Sequence, residues 1–189
     1  MFGGSFDPPH NGHLALSLFA RELLALDRII ISVSNNPFKP KRAVADLHRL
    51  RMAELLAQEI NTTGDCCEVS QWELHKKQSS YTVDLLRHIH ATYPRHKLTL
   101  LVGEDSFKEF PAWKEHDILC CLADVVVFSR GVQEGVQQGF QSNAATRIIN
   151  FNYPVSSTEV RGLASSGKSL SRILPSSIQR YLITQALYQ

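Results

Sequence analysis

The feature that most constrains this chain is the run at residues 3–13, Gly-Gly-Ser-Phe-Asp-Pro-Pro-His-Asn-Gly-His, which leads directly into a helical pattern. Glycines at a strand-to-helix turn let backbone N–H groups approach a bound anion, and the start of the helix adds a partial positive charge. His10 and His13 lie on one face of the first helical turn, so both can donate hydrogen bonds to phosphate oxygens. The run therefore predicts a phosphate-binding turn.

Simpler interpretations of the same residues exist. A histidine pair with this spacing is also found on ordinary surfaces and in metal sites. Gly3-Gly4 fits any tight turn, and Pro8-Pro9 is a common signal for the start of a helix. The phosphate-binding interpretation is favoured because all three features occur together in one short run.

Short apolar strands alternate with helical patterns along the chain. This alternation favours a parallel sheet that is covered on both faces, and strands without period-two alternation favour it as well. The predicted fold class is therefore α/β. The predicted strands cover residues 28–33, 98–102, 124–128 and 147–151, and the main predicted helices cover residues 12–26, 46–60 and 82–93.

Local signals predict where several helices begin and end. Asp46 is expected to cap the second helix, and residues 156–159, Ser-Ser-Thr-Glu, have the form of a capping box. Gly167 can end the helix that follows this box. Pro175 can begin a last helix that runs to residue 187.

Two segments fall outside this regular pattern. Residues 131–143 are rich in glycine, glutamine and serine and have little apolar surface to bury, which predicts a mobile surface loop. Only Met1-Phe2 precedes the glycine turn. We therefore expect either an unusually short first strand or further residues ahead of Met1 that complete it.

Length and composition limit the classes of protein to consider. With 189 residues, 43% of them hydrophobic, we expect a single domain over residues 1–189 with its helical part from about residue 156 packed on it. The net charge of +2 provides no extended basic surface for nucleic acid, so an anion site must be local. No apolar run reaches the roughly 20 residues of a membrane helix, and no secretion signal is visible. We expect a cytoplasmic protein that binds neither nucleic acid nor membrane.

The cysteines occur as two adjacent pairs, Cys66-Cys67 and Cys120-Cys121. This spacing fits neither a zinc site nor the disulfide framework of a secreted protein. We expect reduced, mostly buried thiols and no metal held by the protein.

A second candidate for phosphate binding lies at residues 155–161, Val-Ser-Ser-Thr-Glu-Val-Arg. Hydroxyls and unpaired N–H groups at a helix start can hold the β and γ phosphates of ATP, while Arg161 stabilises charge on the leaving pyrophosphate. Taken alone, a simple capping box with a solvated arginine explains this segment at least as well. Its combination with the first motif favours the phosphate role.

Together, residues 3–13 and the late Ser-Ser-Thr-Glu-Val-Arg segment resemble the nucleotidyltransferase superfamily that carries the His-x-Gly-His signature. Within it, the chain is similar to the bacterial nicotinate-nucleotide adenylyltransferases over nearly its whole length. The further segments that carry this resemblance are Asn36-Pro37-Phe38-Lys39, Arg49-Leu50-Arg51-Met52, Ser80-Tyr81-Thr82, Gly103-Glu104-Asp105-Ser106, Phe110-Pro111-Ala112-Trp113, Leu174-Pro175, Tyr181 and Leu187-Tyr188.

The resemblance implies a Rossmann-like three-layer fold of the nucleotidyltransferase type and transfer of AMP from ATP to nicotinate mononucleotide. The expected partners are ATP, Mg²⁺ that arrives with it, and the pyridine mononucleotide, while a homo-oligomer is left open. The catalytic residues implied are His10, His13 and Arg161. The residues implied for ATP binding are Gly3, Gly4, Ser5, Phe6, His10, His13, Gly103, Asp105, Arg130, Ser157, Thr158 and Arg161. Those implied for the mononucleotide are Asp7, Lys39, Thr82 and Trp113, with Lys41 in the same basic loop as Lys39.

Several of these residues also fit plainer roles. Trp113 could belong to the core, Lys39 and Lys41 could be solvated loop charges, and Asp105 could be a helix cap. The chain also departs from the family pattern, since Lys114 follows Trp113 where an aromatic residue is common. The basic loop reads Phe-Lys-Pro-Lys rather than a histidine-containing sequence.

Other functions fit parts of the sequence. A related nucleotidyltransferase acting on phosphopantetheine or nicotinamide mononucleotide would share both phosphate motifs, but the phosphopantetheine enzymes lack the combined Ser-Tyr-Thr, Gly-Glu-Asp-Ser and Phe-Pro-Ala-Trp segments. A non-catalytic nucleotide-binding protein could lose His10, His13 and Arg161, which are all present. A nucleic-acid-binding module is disfavoured by the near-neutral charge. The sequence alone does not distinguish nicotinate from nicotinamide as the preferred base.

Overall fold

The computed structural model describes residues 1–35, 42–76, 78–131 and 146–189. These residues contain one parallel sheet whose strands, in chain order, are β1 (Phe2–Gly4), β2 (Ile29–Val33), β3 (Cys67–Ser70), β4 (Thr99–Gly103), β5 (Asp124–Ser129) and β6 (Arg147–Asn150). The order across the sheet is β3-β2-β1-β4-β5-β6. This order places the short β1 at the centre.

Helices cover both faces of the sheet. One face carries α1 (Asn11–Leu24), α2 (Asp46–Asn61), α6 (Ser157–Ser165) and α7 (Ser176–Thr184). The other face carries α3 (Thr82–Thr92) and α5 (His116–Leu122). The short α4 (Glu104–Phe107) and a 3₁₀ turn (Phe110–Ala112) follow β4.

The sheet buries apolar side chains on both of its faces. In β5, Val126 and Phe128 belong to the core under α1 and α2, whereas Val125 and Val127 belong to the core under α3 and α5. Strands covered in this way need apolar residues at successive positions, which explains why the sequence shows continuous apolar runs.

The functional edge of the sheet is set by its topology. β1 pairs with β2 on one side and with β4 on the other, so the strand order reverses direction between β1 and β4. Ligands of open parallel sheets bind outside the carboxyl ends of the strands at this point. β1 ends at Gly4 and β4 ends at Gly103, so the glycine turn lies there.

The α/β class and the four predicted strands are confirmed, and so are the predicted helices at the level of whole elements. β3 escaped prediction because Cys67 alone among its four residues is fully buried, so its apolar pattern is weak. The first strand is indeed short, with three residues.

Two predicted helix ends were wrong. Ala45, not Asp46, is the N-cap of α2, because the Asp46 carboxylate instead accepts a hydrogen bond from Arg49 Nη2 at 2.7 Å. The last helix ends at Thr184 rather than residue 187, since Ala186 adopts a left-handed φ of 48°. Half of the predicted capping box is found, with Ser156 Oγ at the N-cap accepting the Glu159 N–H at 3.2 Å.

Three further predictions concern the loop after β5, membrane spans and the cysteines. Of the loop predicted at residues 131–143, Gly131 alone lies within the described residues. None of the helices described is long and apolar enough to cross a bilayer. The four cysteines carry free thiols, and Cys67 alone is fully buried, so the prediction of mostly buried thiols was wrong.

Candidate functional site

A buried arginine holds the backbone of the glycine turn in place. Arg49 is 1% exposed, and its Nη1 donates to Ser5 O at 2.8 Å and to Ser34 O at 3.1 Å. Gly4 O in turn accepts the Ser34 N–H at 2.8 Å. The turn at the end of β1 is therefore tied to the end of β2 by a charged donor and by backbone.

Phe6 shapes this turn through its conformation rather than through an exposed ring. Its φ of 48° lies in the left-handed region that residues with a side chain seldom adopt. Its ring is 1% exposed and lies edge-on to Phe2, with centroids 5.7 Å apart. Packing of the ring into the core compensates the strained backbone, so the Phe6 side chain has a structural role in the turn.

The two histidines form a reciprocal cap at the start of α1. His10 Nδ1 accepts the Gly12 N–H at 3.1 Å, and His13 Nδ1 accepts the His10 N–H at 3.1 Å. Because both Nδ1 atoms act as acceptors, each neutral ring carries its proton on Nε2. Each ring thus keeps an Nε2–H donor, and contact of these donors with phosphate stays a prediction.

Gly12 is required where these rings approach the helix. A Cβ atom at Gly12 would lie 2.9 Å from His10 Nδ1 and 3.3 Å from a ring carbon of Tyr153. Contacts this short are not tolerated between packed atoms. The glycine of the His-x-Gly-His signature thus permits His10 to fold back over the first turn of α1.

Burial keeps His10 neutral. The side chain is 5% exposed, and burial, followed by the charge of Arg130, lowers its pKa from 6.5 to about 4. The His10 and His13 ring centroids are 3.9 Å apart. A neutral His10 can still donate a hydrogen bond from Nε2 at neutral pH, and it places no positive charge next to the His13 ring.

The lowered pKa predicts that acid destabilises the fold through His10. The unfolded chain binds the proton near pH 6.5 and the folded chain only near pH 4, so stability is full above pH 6.5 and is lost as the pH falls towards 4. The full loss is about 3 kcal/mol. Urea unfolding of the wild type and of His10→Asn, which retains a good N-cap, measures it. An equal fall for both proteins between these pH values would contradict the assignment.

Two side chains from the second motif are bonded directly to the first. Ser157 Oγ donates to Pro8 O at 2.8 Å, and Arg161 Nη1 donates to Asp7 O at 2.7 Å. Arg161 Nη2 also donates to Thr158 Oγ1 at 3.1 Å. Segments about 150 positions apart in the sequence therefore meet at the carbonyls that precede His10.

Asp7 connects several segments of the site through hydrogen bonds. Its carboxylate is buried, with Oδ1 accepting the Tyr188 hydroxyl and Oδ2 accepting the Ala43 N–H, both at 2.7 Å. Burial, followed by the bond to Asp7, raises the pKa of Tyr188, so the phenol stays protonated and is the donor. Contact of Asp7 with the mononucleotide stays a prediction, since both of its oxygens already hold protein donors.

We expect Tyr188→Phe to lower both stability and turnover. Loss of the hydroxyl leaves one oxygen of a buried carboxylate unsatisfied, which costs on the order of 1–3 kcal/mol and loosens the turn that carries His10. Tyr181→Phe is the matched control, because the Tyr181 hydroxyl contacts His48 Nδ1 at 2.9 Å, away from the turn. Urea unfolding and steady-state rates measure the two effects. Equal turnover of the two variants would exclude a positioning role for Tyr188.

A first cleft opens on the β1–β2–α3 side of the reversal point. Its empty volume, including the part open to solvent, is about 540 Å³. Thr82 and Trp113, both predicted for the mononucleotide, line it together with Gly3. Glu73, Ser34, Ser80 and Ser106 also line it and were missed as site residues. Glu73 and Ser34 belong to no recognised motif, whereas Ser80 and Ser106 lie in the Ser-Tyr-Thr and Gly-Glu-Asp-Ser segments that were noted only for the resemblance.

A second cleft lies on the other side, between α1, α4 and β5. Gly103, Asp105 and Arg130, predicted for ATP, line it together. Gly103 also lines the first cleft, so the two clefts meet at the carboxyl end of β4. Phe151, the last residue of the predicted strand, and Tyr153, two residues beyond it, line the second cleft as well and were missed because no recognisable motif contains them.

Charged side chains in the second cleft differ in how tightly they are held. Glu104 Oε2 accepts the Ser129 hydroxyl at 2.9 Å and the Arg130 N–H at 3.1 Å, and these bonds, that to Ser129 first, lower the pKa of the Glu104 carboxyl. Asp105 is exposed and lies 3.9 Å from Lys108 Nζ. Glu104 thus fixes the backbone ahead of Arg130, whereas Asp105 and the Arg130 side chain face solvent.

Lys39 and Lys41 lie outside the described residues. The described part of the chain contains no group of three or more His, Cys, Asp or Glu side chains that could hold a metal ion. Histidine, serine, threonine and arginine donors surround the phosphate-binding turn, and its one carboxylate, Asp7, already accepts two protein hydrogen bonds. Such donors fit an anion, and a metal ion that arrives already bound to phosphate oxygens.

Known proteins match both the fold and the sequence. Residues 1–163 match the model of the cytidylyltransferase-like family. The chain is 56% identical to a Pelodictyon phaeoclathratiforme protein named "Probable nicotinate-nucleotide adenylyltransferase", over all of this chain and 90% of the relative. The chain belongs to the nicotinate-nucleotide adenylyltransferase family. A Chlorobium phaeovibrioides relative of the same name is 50% identical over all of this chain and 97% of its own length.

Solved structures of nicotinic acid mononucleotide adenylyltransferases share this fold. The Plasmodium falciparum enzyme complexed with NaAD has a TM-score of 0.77 at 18% identity, covering 99% of this chain and 95% of that chain. Its complex with APC has a TM-score of 0.75 at 18% identity, covering 99% and 94%. The resemblance to nicotinate-nucleotide adenylyltransferases and the Rossmann-like, nucleotidyltransferase-type fold predicted from the sequence are therefore confirmed.

Proposed function

We propose that this chain transfers AMP from ATP to the 5′-phosphate of nicotinate mononucleotide, forming nicotinate adenine dinucleotide and pyrophosphate in NAD biosynthesis. The relatives that are 56% and 50% identical over the whole chain bear the name of this enzyme. The bond from Arg161 Nη1 to Asp7 O is the structural observation that carries the proposal. It brings the arginine of one phosphate motif to the helix start of the other.

The reaction needs no nucleophile from the protein. A phosphate oxygen of the mononucleotide is ionised at neutral pH and attacks the α-phosphorus of ATP, while the bond from that phosphorus to the α–β bridging oxygen breaks and pyrophosphate leaves. The Nε2–H groups of His10 and His13 donate to phosphate oxygens, and Arg161 neutralises charge that grows on the leaving group. Catalysis then consists of alignment in two adjoining clefts and of charge stabilisation.

Mg²⁺ is proposed to arrive with ATP, held by phosphate oxygens and water, as is usual for this ion with nucleotides. Bound in this way it neutralises charge on the triphosphate. The residues of this chain bind and orient the phosphates through N–H and O–H donors, and no carboxylate of the described residues is assigned to the ion.

The two clefts support a division of the substrates. We assign the first cleft, with Thr82 and Trp113, to the pyridine mononucleotide, and the second, with Gly103, Asp105 and Arg130, to the adenosine part of ATP. Thr158 would contact the phosphates together with Ser157 and Arg161. We further propose that a single domain does this in the cytoplasm, where free thiols are stable.

Pyrophosphate release from ATP and Mg²⁺ tests the function. Nicotinate mononucleotide, nicotinamide mononucleotide and 4′-phosphopantetheine are supplied in parallel at equal concentrations. We expect nicotinate mononucleotide to give the highest kcat/KM. A preference for the amide would move the function to nicotinamide mononucleotide, and a preference for phosphopantetheine or no release with any of them would refute the proposal.

Trp113→Ala is expected to raise the KM for the mononucleotide more than the KM for ATP. Trp113 is half-buried at the wall of the first cleft, where its ring can cover a pyridine, and it does not line the second cleft. Removal of one aromatic stacking surface costs roughly 10-fold or more in binding. Trp72→Ala is the control, since Trp72 stacks on His88 outside both clefts. Equal effects of Trp113→Ala on the two KM values would contradict this placement.

A further inference from the structure

A buried carboxylate lies at the wall of the first cleft, away from the phosphate turn. Glu73 is 4% exposed and is the one acidic residue among the described residues that line this cleft. Its Oε1 accepts the Ser32 hydroxyl at 2.8 Å, and its Oε2 accepts the Ser80 hydroxyl at 2.7 Å and the Asn35 N–H at 3.3 Å. Three donors converge on its two oxygens, so both oxygens act as acceptors.

The charge of Glu73 has no direct counter-ion among the described residues. All three of its donors are neutral, and none of the lysines and arginines described forms an ion pair with it within 4.0 Å. The Glu73 carboxylate acts to raise the pKa of the Arg42 guanidinium, but burial and the charge of Arg49 have larger effects and lower that pKa. Burial strengthens the interaction of a carboxylate with a nearby positive charge. A cation that enters the cleft beside Glu73 would therefore be stabilised.

The base of the proposed substrate carries such a cation. The ring nitrogen of nicotinate mononucleotide is bonded to ribose, so the aromatic ring has a fixed positive charge at every pH. That nitrogen has no hydrogen to donate, and it can be recognised only through its electric field or its π surface. Trp113 provides an aromatic surface in this cleft, and Glu73 provides the opposite charge.

We propose that the Glu73 carboxylate selects the cationic pyridinium ring of the mononucleotide over an uncharged ring of the same shape, such as its 1,4-dihydro form. This inference rests on the proposed function and deepens it. The same negative charge repels the carboxylate on the ring, so it also determines which edge of the base faces away from Glu73. The residue binds substrate through its field and takes no part in the transfer of AMP.

A purely structural role is the competing explanation. The hydrogen bonds of Glu73 join the end of β2 to the connection that precedes α3, so any change could distort the cleft. Glu73→Gln removes the charge and keeps the shape, whereas Glu73→Asp keeps the charge and shortens the reach to Ser32 and Ser80. A structural role therefore predicts more damage from the aspartate, and a charge role predicts more damage from the glutamine.

The experiment measures kcat/KM for nicotinate mononucleotide and for its 1,4-dihydro form, with saturating ATP and Mg²⁺. We expect Glu73→Gln to lower kcat/KM for the cationic substrate roughly 10- to 100-fold and to leave the dihydro form within about twofold, while Glu73→Asp retains more of the preference. Glu68→Gln is the matched control, because Glu68 lies on β3 outside this cleft.

The possible results distinguish a charge role of Glu73 from a structural role and from failure of the proposed function. If Glu73→Gln lowered kcat/KM equally for both substrates, the proposal would be overturned in favour of a structural role. A lower kcat/KM for Glu73→Asp than for Glu73→Gln with the cationic substrate would overturn it in the same way. Unchanged selectivity in Glu73→Gln would overturn it as well. A wild-type protein that releases no pyrophosphate with nicotinate mononucleotide would instead refute the proposed function itself.

Discussion

Replacing His13 with alanine should lower kcat roughly 100- to 1,000-fold, the usual cost of removing one preorganised donor from charge that develops in a transition state. The Nδ1 atom of His13 accepts the His10 N–H at 3.1 Å, which leaves the proton on Nε2. Alanine removes that donor and also the acceptor for the backbone of His10. The second loss costs only about 1 kcal/mol of helix stability, so the protein should remain folded.

His13→Gln separates the two losses. Glutamine at the third helical position completes an ordinary capping box, so the helix start is retained while the imidazole is removed. We expect His13→Gln to unfold in urea like the wild type and to show nearly the same fall in kcat as His13→Ala. His88→Ala, on α3 and outside both clefts, should keep normal turnover. Near-normal turnover of His13→Ala would remove His13 from the site.

The sequence predicts the order of helices and strands well because the signal for each element lies within the residues of that element. Strands buried on both faces, such as β2 and β5, require nearly continuous apolar runs, which are visible residue by residue. β3 is an edge strand with one fully buried residue, so its sequence does not distinguish it from a connection. β6, at the other edge, was predicted because Ile148 and Ile149 give it an apolar run, so the polar residues of β3 rather than its place in the sheet concealed it.

The site was predicted to the extent that its residues belong to compact motifs. His10 and Gly12 act within one helical turn, so their spacing carries the geometry. Glu73 and Tyr188 reach the site from segments far away in the chain, through hydrogen bonds that include those with Ser32 and Asp7. Such contacts depend on how layers pack, and no pattern along the chain encodes them.

The arrangement of the two motifs explains why buried hydrogen bonds surround an anion site. The carbonyls of Asp7 and Pro8 point at Arg161 and Ser157, so the backbone ahead of His10 cannot turn its own oxygens towards phosphate. We propose that N–H groups and imidazole donors face the phosphate instead. A site built in this way is set for an anion before ATP arrives, which reduces the cost of binding and reaction.

The second large effect is expected for Arg161, where alanine should lower kcat roughly 1,000-fold, in the range found for arginines that neutralise a transferring phosphoryl group. Arg161 donates to Asp7 O at 2.7 Å and to Thr158 Oγ1 at 3.1 Å, which fixes the guanidinium beside the start of α1. Alanine removes a positive charge and unties α6 from the phosphate turn at the same time.

Arg161→Lys distinguishes these contributions, because lysine retains the charge but cannot donate in two directions from one planar group. We expect kcat between those of the wild type and Arg161→Ala, since the charge remains while its position is no longer fixed. Arg180→Ala, at an exposed position on α7, should leave the rate unchanged. If Arg161→Lys were as slow as Arg161→Ala while both unfolded like the wild type, the fixed geometry of the guanidinium rather than its charge would be the contribution that matters.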